Sequence, residues 1–88
     1  MLSKSEMETI KKLAKKYKLK RVFLFGSSVE SDNYKDIDLG IEGLESGMFF
    51  SFYGELFKYL SKPVDLVDLK YINAFNRLVI ANGKVIYE

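Results

Sequence analysis

The chain has 88 residues, a length that allows one compact domain. It contains neither cysteine nor histidine, which excludes disulfide frameworks, thiolate zinc sites, cysteine nucleophiles and imidazole bases. Any chemistry must therefore depend on carboxylates, hydroxyls, amines and a hard metal ion. No repeat, low-complexity tract or Gly/Ser linker interrupts the sequence, so residues 1–88 are interpreted as a single domain.

The net charge of +2 hides an uneven distribution along the chain. Residues 1–21 carry eight Lys/Arg against two glutamates, a net charge of +6, whereas residues 22–88 carry six against ten acids, a net charge of −4. No stretch approaches the roughly 18 apolar residues that span a bilayer, and no apolar segment follows a basic start as in a signal peptide. We therefore expect a soluble, cytoplasmic protein with no membrane partner.

Hydrophobic periodicity and turn residues predict the elements in chain order. Ser3 or Ser5 is expected to cap a first helix, and an apolar stripe from Leu2 to Tyr17 would form its buried face. The remaining predicted elements are a strand at 21–26, a polar loop at 27–35, a strand at 36–43, a helix at 48–60, a strand at 64–69, a helix at 71–81 and a last strand at 84–88. This order predicts an α+β fold with a small mixed β-sheet and helices packed on it.

Two carboxylates lie two residues apart on the second predicted strand. Because side chains alternate across a strand, Asp36 and Asp38 share one face, while Ile37, Leu39 and Ile41 point into the core. Carboxylates about 7 Å apart repel each other unless a cation lies between them. Because the chain has no histidine or cysteine, Mg²⁺ or Mn²⁺ is the metal ion that these carboxylates would most reasonably bind. The simplest alternative is that both acids belong to the solvated face of an edge strand.

A third carboxylate could come from the strand at 64–69. Asp65 and Asp68 are three apart and face opposite sides of a regular strand, so only one can join the pair, and spacing alone leaves both open. Asp68 is the more natural cap for the helix that follows. A calcium loop of the EF-hand type starting at Asp32 is excluded, because its sixth position is Ile37 instead of glycine and its twelfth is Gly43 instead of glutamate.

Gly26 and Ser27 end the first predicted strand directly before the loop that leads to the acids. Glycine lets the backbone approach a ligand closely, and serine offers its N–H and hydroxyl to a phosphate. The same dipeptide also occurs in ordinary turns, so alone it indicates little.

Taken together, these segments resemble a known family. LFGSSVESDNYKDIDLGI, followed by PVDLVDL and NRLVIANGKVIYE, resembles the minimal nucleotidyltransferases of the DNA polymerase beta superfamily over about residues 20–88. The resemblance implies that Gly26 and Ser27 bind a nucleoside triphosphate and that Asp36 and Asp38 hold two Mg²⁺ ions. It matches Asp65 to the third carboxylate, which binds the catalytic metal and helps to deprotonate the attacking hydroxyl, and it gives Asp68 no catalytic counterpart.

Many small members of this family are antitoxins paired with an all-helical toxin, and some transfer AMP from ATP to a tyrosine of that partner. The resemblance therefore implies a nucleotidyltransferase antitoxin that modifies a hydroxyl of a small helical partner. Two departures are visible: the eight residues between Ser27 and Asp36 make a short loop for this family, and Glu30 stands in the stretch where family members carry an arginine. Lys35 is a candidate substitute for that arginine. The alternative is a catalytically degenerate module that neutralises its partner by contact.

Two further features have competing interpretations. The lysines of the first helix could bind nucleic acid phosphates, but lysine on an exposed helix face commonly serves solubility, which we favour. The segment Met48–Tyr59 holds more aromatic residues than one helix face of a small core requires. We expect part of it to form an interface, either with a second copy of the chain or with a helical partner.

Overall fold

Four strands and four helices account for the regular structure of residues 2–30 and 34–88, the part of the chain that the computed structural model describes. In chain order they are α1 (Lys4–Lys16), β1 (Arg21–Phe25), α2 (Ser27–Glu30), β2 (Ile37–Glu42), α3 (Phe49–Tyr59), β3 (Val64–Asp68), α4 (Ala74–Asn82) and β4 (Lys84–Tyr87). The predicted α+β fold is confirmed. None of the helices in these described ranges is long and apolar enough to cross a membrane.

The strands form one mixed sheet in the order β3-β2-β1-β4. Strand β1 is antiparallel to both β2 and β4, while β2 and β3 run parallel. The end of β1 therefore lies beside the starts of β2 and β4, and the start of β3 lies beside that of β2. Four chain segments thus meet at one end of the sheet.

One face of the sheet carries the larger hydrophobic core, which α1 and α3 cover. Ile37, Leu39 and Ile41 are fully buried there, as predicted from the alternation in β2. The stripe on α1 is buried through Ile10, Leu13 and Ala14, and Ser3 caps the helix by accepting a hydrogen bond from the backbone N–H of Glu6. The sequence analysis therefore identified the core-facing residues of both β2 and α1 correctly.

The opposite face is covered only in part, by α4. A smaller cluster of Phe23, Leu69 and Val79 forms its core. Gly40 permits this packing, because a Cβ at its position would lie 3.0 Å from Val79 Cγ1. Asp38 of β2 and Asp65 of β3, which are neighbours across the two strands, lie on this face near the strand starts.

Two expectations about local structure were wrong. The segment after Gly26 was expected to be loop throughout, but residues 27–30 form the single turn α2, held by the N–H of Val29 donating to the carbonyl of Gly26 at 3.2 Å. Asp68 does not cap the last helix. Asn73 does so, since its side chain accepts from the N–H of Asn76 at 2.8 Å, and α4 accordingly begins at Ala74.

Candidate active site

Asp38 lies at the centre of the site, near the start of β2 and on the face that α4 leaves partly open. On one side its β1 neighbour is Phe25, the residue before Gly26. On the other side its parallel neighbour in β3 is Asp65. The register of three strands therefore gathers Gly26, Asp38 and Asp65 at one end of the sheet.

The two neighbouring carboxyl groups interact directly. Burial raises the pKa of Asp38 to about 6, and a hydrogen bond with the side chain of Asp65 and the negative charges of Asp65 and Asp36 act in the same direction. Asp65 itself is exposed. Register thus answers the question that spacing left open: Asp65 is the acid of β3 that joins Asp38, whereas Asp68 is buried at the far end of the strand, where it accepts a hydrogen bond from the N–H of Lys70 at 3.0 Å.

Asp36 lies one residue before β2 and is exposed to solvent. Its charge reaches Asp38, since it contributes to the raised pKa there. Within residues 2–30 and 34–88, however, no three acidic side chains are gathered closely enough to form a metal site. The structure therefore brings together two of the three predicted ligands and leaves Asp36 at the edge of the pair.

Gly26 is required at its position by the acid beside it. Its φ angle is +67°, a left-handed conformation that residues with a side chain rarely adopt. A Cβ at Gly26 would lie 2.3 Å from Asp38 Oδ2, so any side chain here would displace the carboxylate. Ser27 begins α2, but its side chain lies outside the described part of the structure.

Ser28 is a residue of the site that the sequence analysis missed. It is fully buried, its hydroxyl donates to the carbonyl of Phe25 at 2.8 Å, and it accepts from the N–H of Asp38 at 3.3 Å. The hydroxyl thus ties the turn after β1 to the strand that carries the acid. Two consecutive serines are common in ordinary turns, so the sequence analysis did not single out Ser28. The signal that could have identified it is its position directly after Gly26-Ser27 at the end of a buried strand.

Tyr34 is a second anchor that the sequence did not reveal. Its ring is buried, its hydroxyl hydrogen-bonds to Glu6 of α1, and the Nζ of Lys62 lies 3.6 Å from the ring centroid. This contact fixes the chain two residues before Asp36. Lys35, the predicted substitute for the family's arginine, is exposed.

The donor set is suited to a divalent cation. All three predicted ligands are carboxylates, the oxygen ligands that Mg²⁺ and Mn²⁺ prefer. Burial is the largest cause of the raised pKa of Asp38, and the negative charges of Asp65 and Asp36 add to it; a cation between the carboxylates would offset that repulsion. The residues therefore fit a hard metal ion.

An α+β domain with a carboxylate pair beside a glycine turn has the features of a nucleotidyltransferase. A comparison with protein-family models matches residues 8–88 to the family described as polymerase beta, nucleotidyltransferase. The chain belongs to this family, as its motifs predicted. A search of curated protein sequences found no match.

Solved structures share the fold. A toxin–antitoxin complex with AMP-PNP contains a chain with a TM-score of 0.73 and 26% identity, and the match covers 91% of this protein and 71% of that chain. The tri-AMPylated Shewanella oneidensis HEPN toxin in complex with MNT antitoxin gives a TM-score of 0.69 at 28% identity, covering 92% and 68%. The MntA–HepT toxin–antitoxin complex, at 24% identity and a TM-score of 0.70, supports the fold alone.

Proposed function

We propose that this protein transfers AMP from ATP to a hydroxyl group of a partner protein, as the antitoxin of a toxin–antitoxin pair in the cytoplasm. The observation that carries the proposal is the pairing of Asp38 with Asp65 directly beside Gly26. The negative charges of Asp65 and Asp36 oppose the ionisation of Asp38 beside the glycine turn, which does not favour stability. A bound metal ion with a triphosphate would offset that repulsion.

The proposed reaction is a displacement at the α-phosphorus. The acceptor oxygen forms a bond to this phosphorus, the bond to the β-phosphate oxygen breaks, and pyrophosphate leaves. The hydroxyl proton passes to Asp65, the exposed acid of the pair. The turn at Gly26 and Ser27 offers backbone N–H groups to the triphosphate, and Ser28 keeps that turn fixed against β2.

Asp36, Asp38 and Asp65 would hold the metal, which we propose to be two Mg²⁺ ions. The chemistry supplied by bound Mg²⁺ is neutralisation of charge on the attacking and departing oxygens and a lower pKa of the acceptor hydroxyl. The protein's own contribution is to hold Asp38 and Asp65 in register across two strands before any ligand binds.

A toxin partner is supported by the solved neighbours, whose descriptions name toxin–antitoxin complexes and, in one case, a tri-AMPylated HEPN toxin. We extend this to a small helical partner of the present chain. The exposed lysines of α1 are not assigned to nucleic acid, because a solvated helix face accounts for them.

The test is transfer of label from [α-³²P]ATP in the presence of Mg²⁺ to the product of the neighbouring gene. We expect covalent label on the partner with the wild-type chain and a loss of at least a hundredfold in Asp38→Asn and Asp65→Asn. Asp68→Asn is the matched control, since this acid lies in the same strand but away from the pair, and it should retain labelling.

Two results would contradict the proposal. One is the absence of label on the partner with the wild-type chain. The other is labelling of the partner by the Asp38→Asn and Asp65→Asn variants at the wild-type level. Neutralisation of the partner that survives both substitutions, without label, would identify the chain as a module that acts by contact.

A further inference from the structure

The outward side of α4 is apolar where a surface helix is ordinarily polar. Asn76 and Val79 face the sheet and are buried, whereas the other seven residues of the helix are exposed. Arg77 is the only charged residue of α4. Because a helix that is apolar on every side is normally buried, α4 needs a cover that residues 2–30 and 34–88 do not supply.

Three residues form a stripe along this outward side. Ala74, Leu78 and Ala81 are spaced four and three residues apart, so they lie in one row on the helix. Leu78 is 61% exposed, and with the two alanines it lines a groove of about 530 Å³, which Ile72 also lines. A large apolar side chain between two small ones suits a second helix, because the ridges of one helix pack into the grooves of another.

The charges near this stripe are basic. The segment 70–87 contains Lys70, Arg77 and Lys84 and no aspartate or glutamate. Arg77 lines the same groove as Leu78, and Lys70 lies 4.0 Å from the carboxylate of Asp68. A second copy of the chain docked through the same surface would bring like charges together, which disfavours that contact. A different protein with acidic residues beside an apolar stripe would complement both the groove and its charge.

The stripe lies over the face of the sheet that carries the proposed site. Asp38 and Gly40 share this face of β2, because they are two residues apart. Val79 of α4 packs on Gly40, where a Cβ would lie 3.0 Å from Val79 Cγ1. The helix therefore crosses β2 about 7 Å along the strand from the acid. A protein bound to the outward side of α4 is held on the side of the sheet from which a hydroxyl can reach Asp65.

We infer that the outward side of α4 binds the acceptor protein, through a helix that packs an apolar stripe against Leu78 and places acidic residues near Arg77. The inference rests on the proposed function, because it takes a partner protein to supply the acceptor hydroxyl. It adds the surface that holds this partner, separate from the residues proposed to act on the triphosphate. Affinity for the partner then depends on α4, whereas the rate of transfer depends on Asp38 and Asp65.

Calorimetric titration of the full chain with the product of the neighbouring gene tests this surface. Leu78→Glu should weaken binding about tenfold or more, since it places an acid in the centre of the stripe. Leu78→Lys removes the same apolar side chain but carries the complementary charge, so its affinity should exceed that of Leu78→Glu by about threefold or more. In labelling from ATP, Leu78→Glu should raise the partner concentration that gives the half-maximal rate and leave the maximal rate unchanged.

Phe57→Glu is the matched control, because it adds the same charge at a 71% exposed apolar position of α3, and it should bind the partner as wild type does. Equal binding by wild type and Leu78→Glu would overturn the inference and leave the proposed function standing. Equal losses in the two Leu78 variants, or binding of α4 to anionic phospholipid vesicles in place of the partner, would also overturn it. Binding that depends on Leu78 without transfer of label would support the surface and remove the proposed transfer. Failure of the wild-type chain to bind the partner would remove both.

Discussion

At the scale of single residues, the ionised form of Asp38, which predominates at neutral pH, is unfavourable in the folded protein. The folded-state pKa of Asp38 is about 6, above the ordinary value of about 3.9, so the folded chain binds this proton more tightly than the unfolded chain does. The stability that the group contributes is therefore fully present below about pH 4 and is lost as the pH rises through about 6. Near neutral pH the carboxylate pair opposes folding.

Asp38→Asn should consequently stabilise the metal-free protein at pH 7.5. We expect an increase of about 1 kcal/mol in the free energy of unfolding, a modest value because solvent still reaches and screens this partly buried group. The difference between variant and wild type should vanish below about pH 4, where Asp38 is protonated in both the folded and the unfolded wild-type chain. Urea unfolding in EDTA at the two pH values measures it, and a variant that is less stable than wild type at pH 7.5 would contradict the assigned charge state.

At the scale of elements, the connection from β3 to α4 depends on one buried amide. Asn76 is 3% exposed, and its Nδ2 donates to the carbonyl of Asp68 at 3.2 Å and to that of Tyr71 at 2.7 Å. These bonds close the loop that joins the strand carrying Asp65 to α4. The position of α4 therefore follows from β3 through Asn76.

Asn76→Ala should lower the free energy of unfolding by about 2–3 kcal/mol, because it leaves one buried and one partly buried carbonyl group without their donor and removes packed volume. Arg77→Ala on the exposed side of the same helix is the control and should change stability by less than about 0.5 kcal/mol. Chemical denaturation of the three proteins provides the comparison. Equal stability of the two variants would show that the loop is held by other contacts.

The elements that the sequence predicted well are those with a strong local pattern. The apolar run in β1 and the alternation around Leu39 in β2 are legible without tertiary contacts. The single turn α2 is too short to show a helical period, and the start of α4 was misplaced because Asp68 and Asn73 are both good caps by residue type. Tertiary packing decides between such equivalent local signals.

The same distinction applies to the site. Asp36 and Asp38 could be proposed from their spacing, whereas preferring Asp65 over Asp68 on physical grounds required the register of a parallel strand pair. Ser28 and Tyr34 act through bonds to residues distant in sequence, so no local pattern identifies them. Sequence reasoning therefore finds the charged groups and misses the neutral groups that position them.

At the scale of the whole molecule, α3 presents a band of uncovered aromatic rings. Phe52 and Leu56 are fully buried, but Phe50 is 82% exposed and Phe57 is 71% exposed. These two exposed rings are seven residues apart and thus lie on one side of the helix. The sequence prediction of an interface in this segment remains a prediction.

We expect the isolated chain to self-associate through this band. Sedimentation velocity between about 5 and 500 μM should show a concentration-dependent shift from monomer to dimer, and the double variant Phe50→Glu/Phe57→Glu should stay monomeric. Ile72→Glu, which adds a charge at an equally exposed apolar position outside α3, should behave as wild type. A wild-type chain that is monomeric throughout this range would exclude self-association and leave the band to a different partner.

The parallel pairing of β2 with β3 has a consequence for how substitutions remote from the site should act. Val64 is buried on the opposite face of β3 from Asp65, and Leu66, two residues after Val64, packs against the same core. A shift of one residue in the pairing register of β3 would move Asp65 into the hydrophobic core and place an aliphatic side chain beside Asp38. The hydrophobic layer thus sets the alignment of the two acids. Cavities introduced under β3 should therefore weaken binding of the proposed metal ion without contacting it.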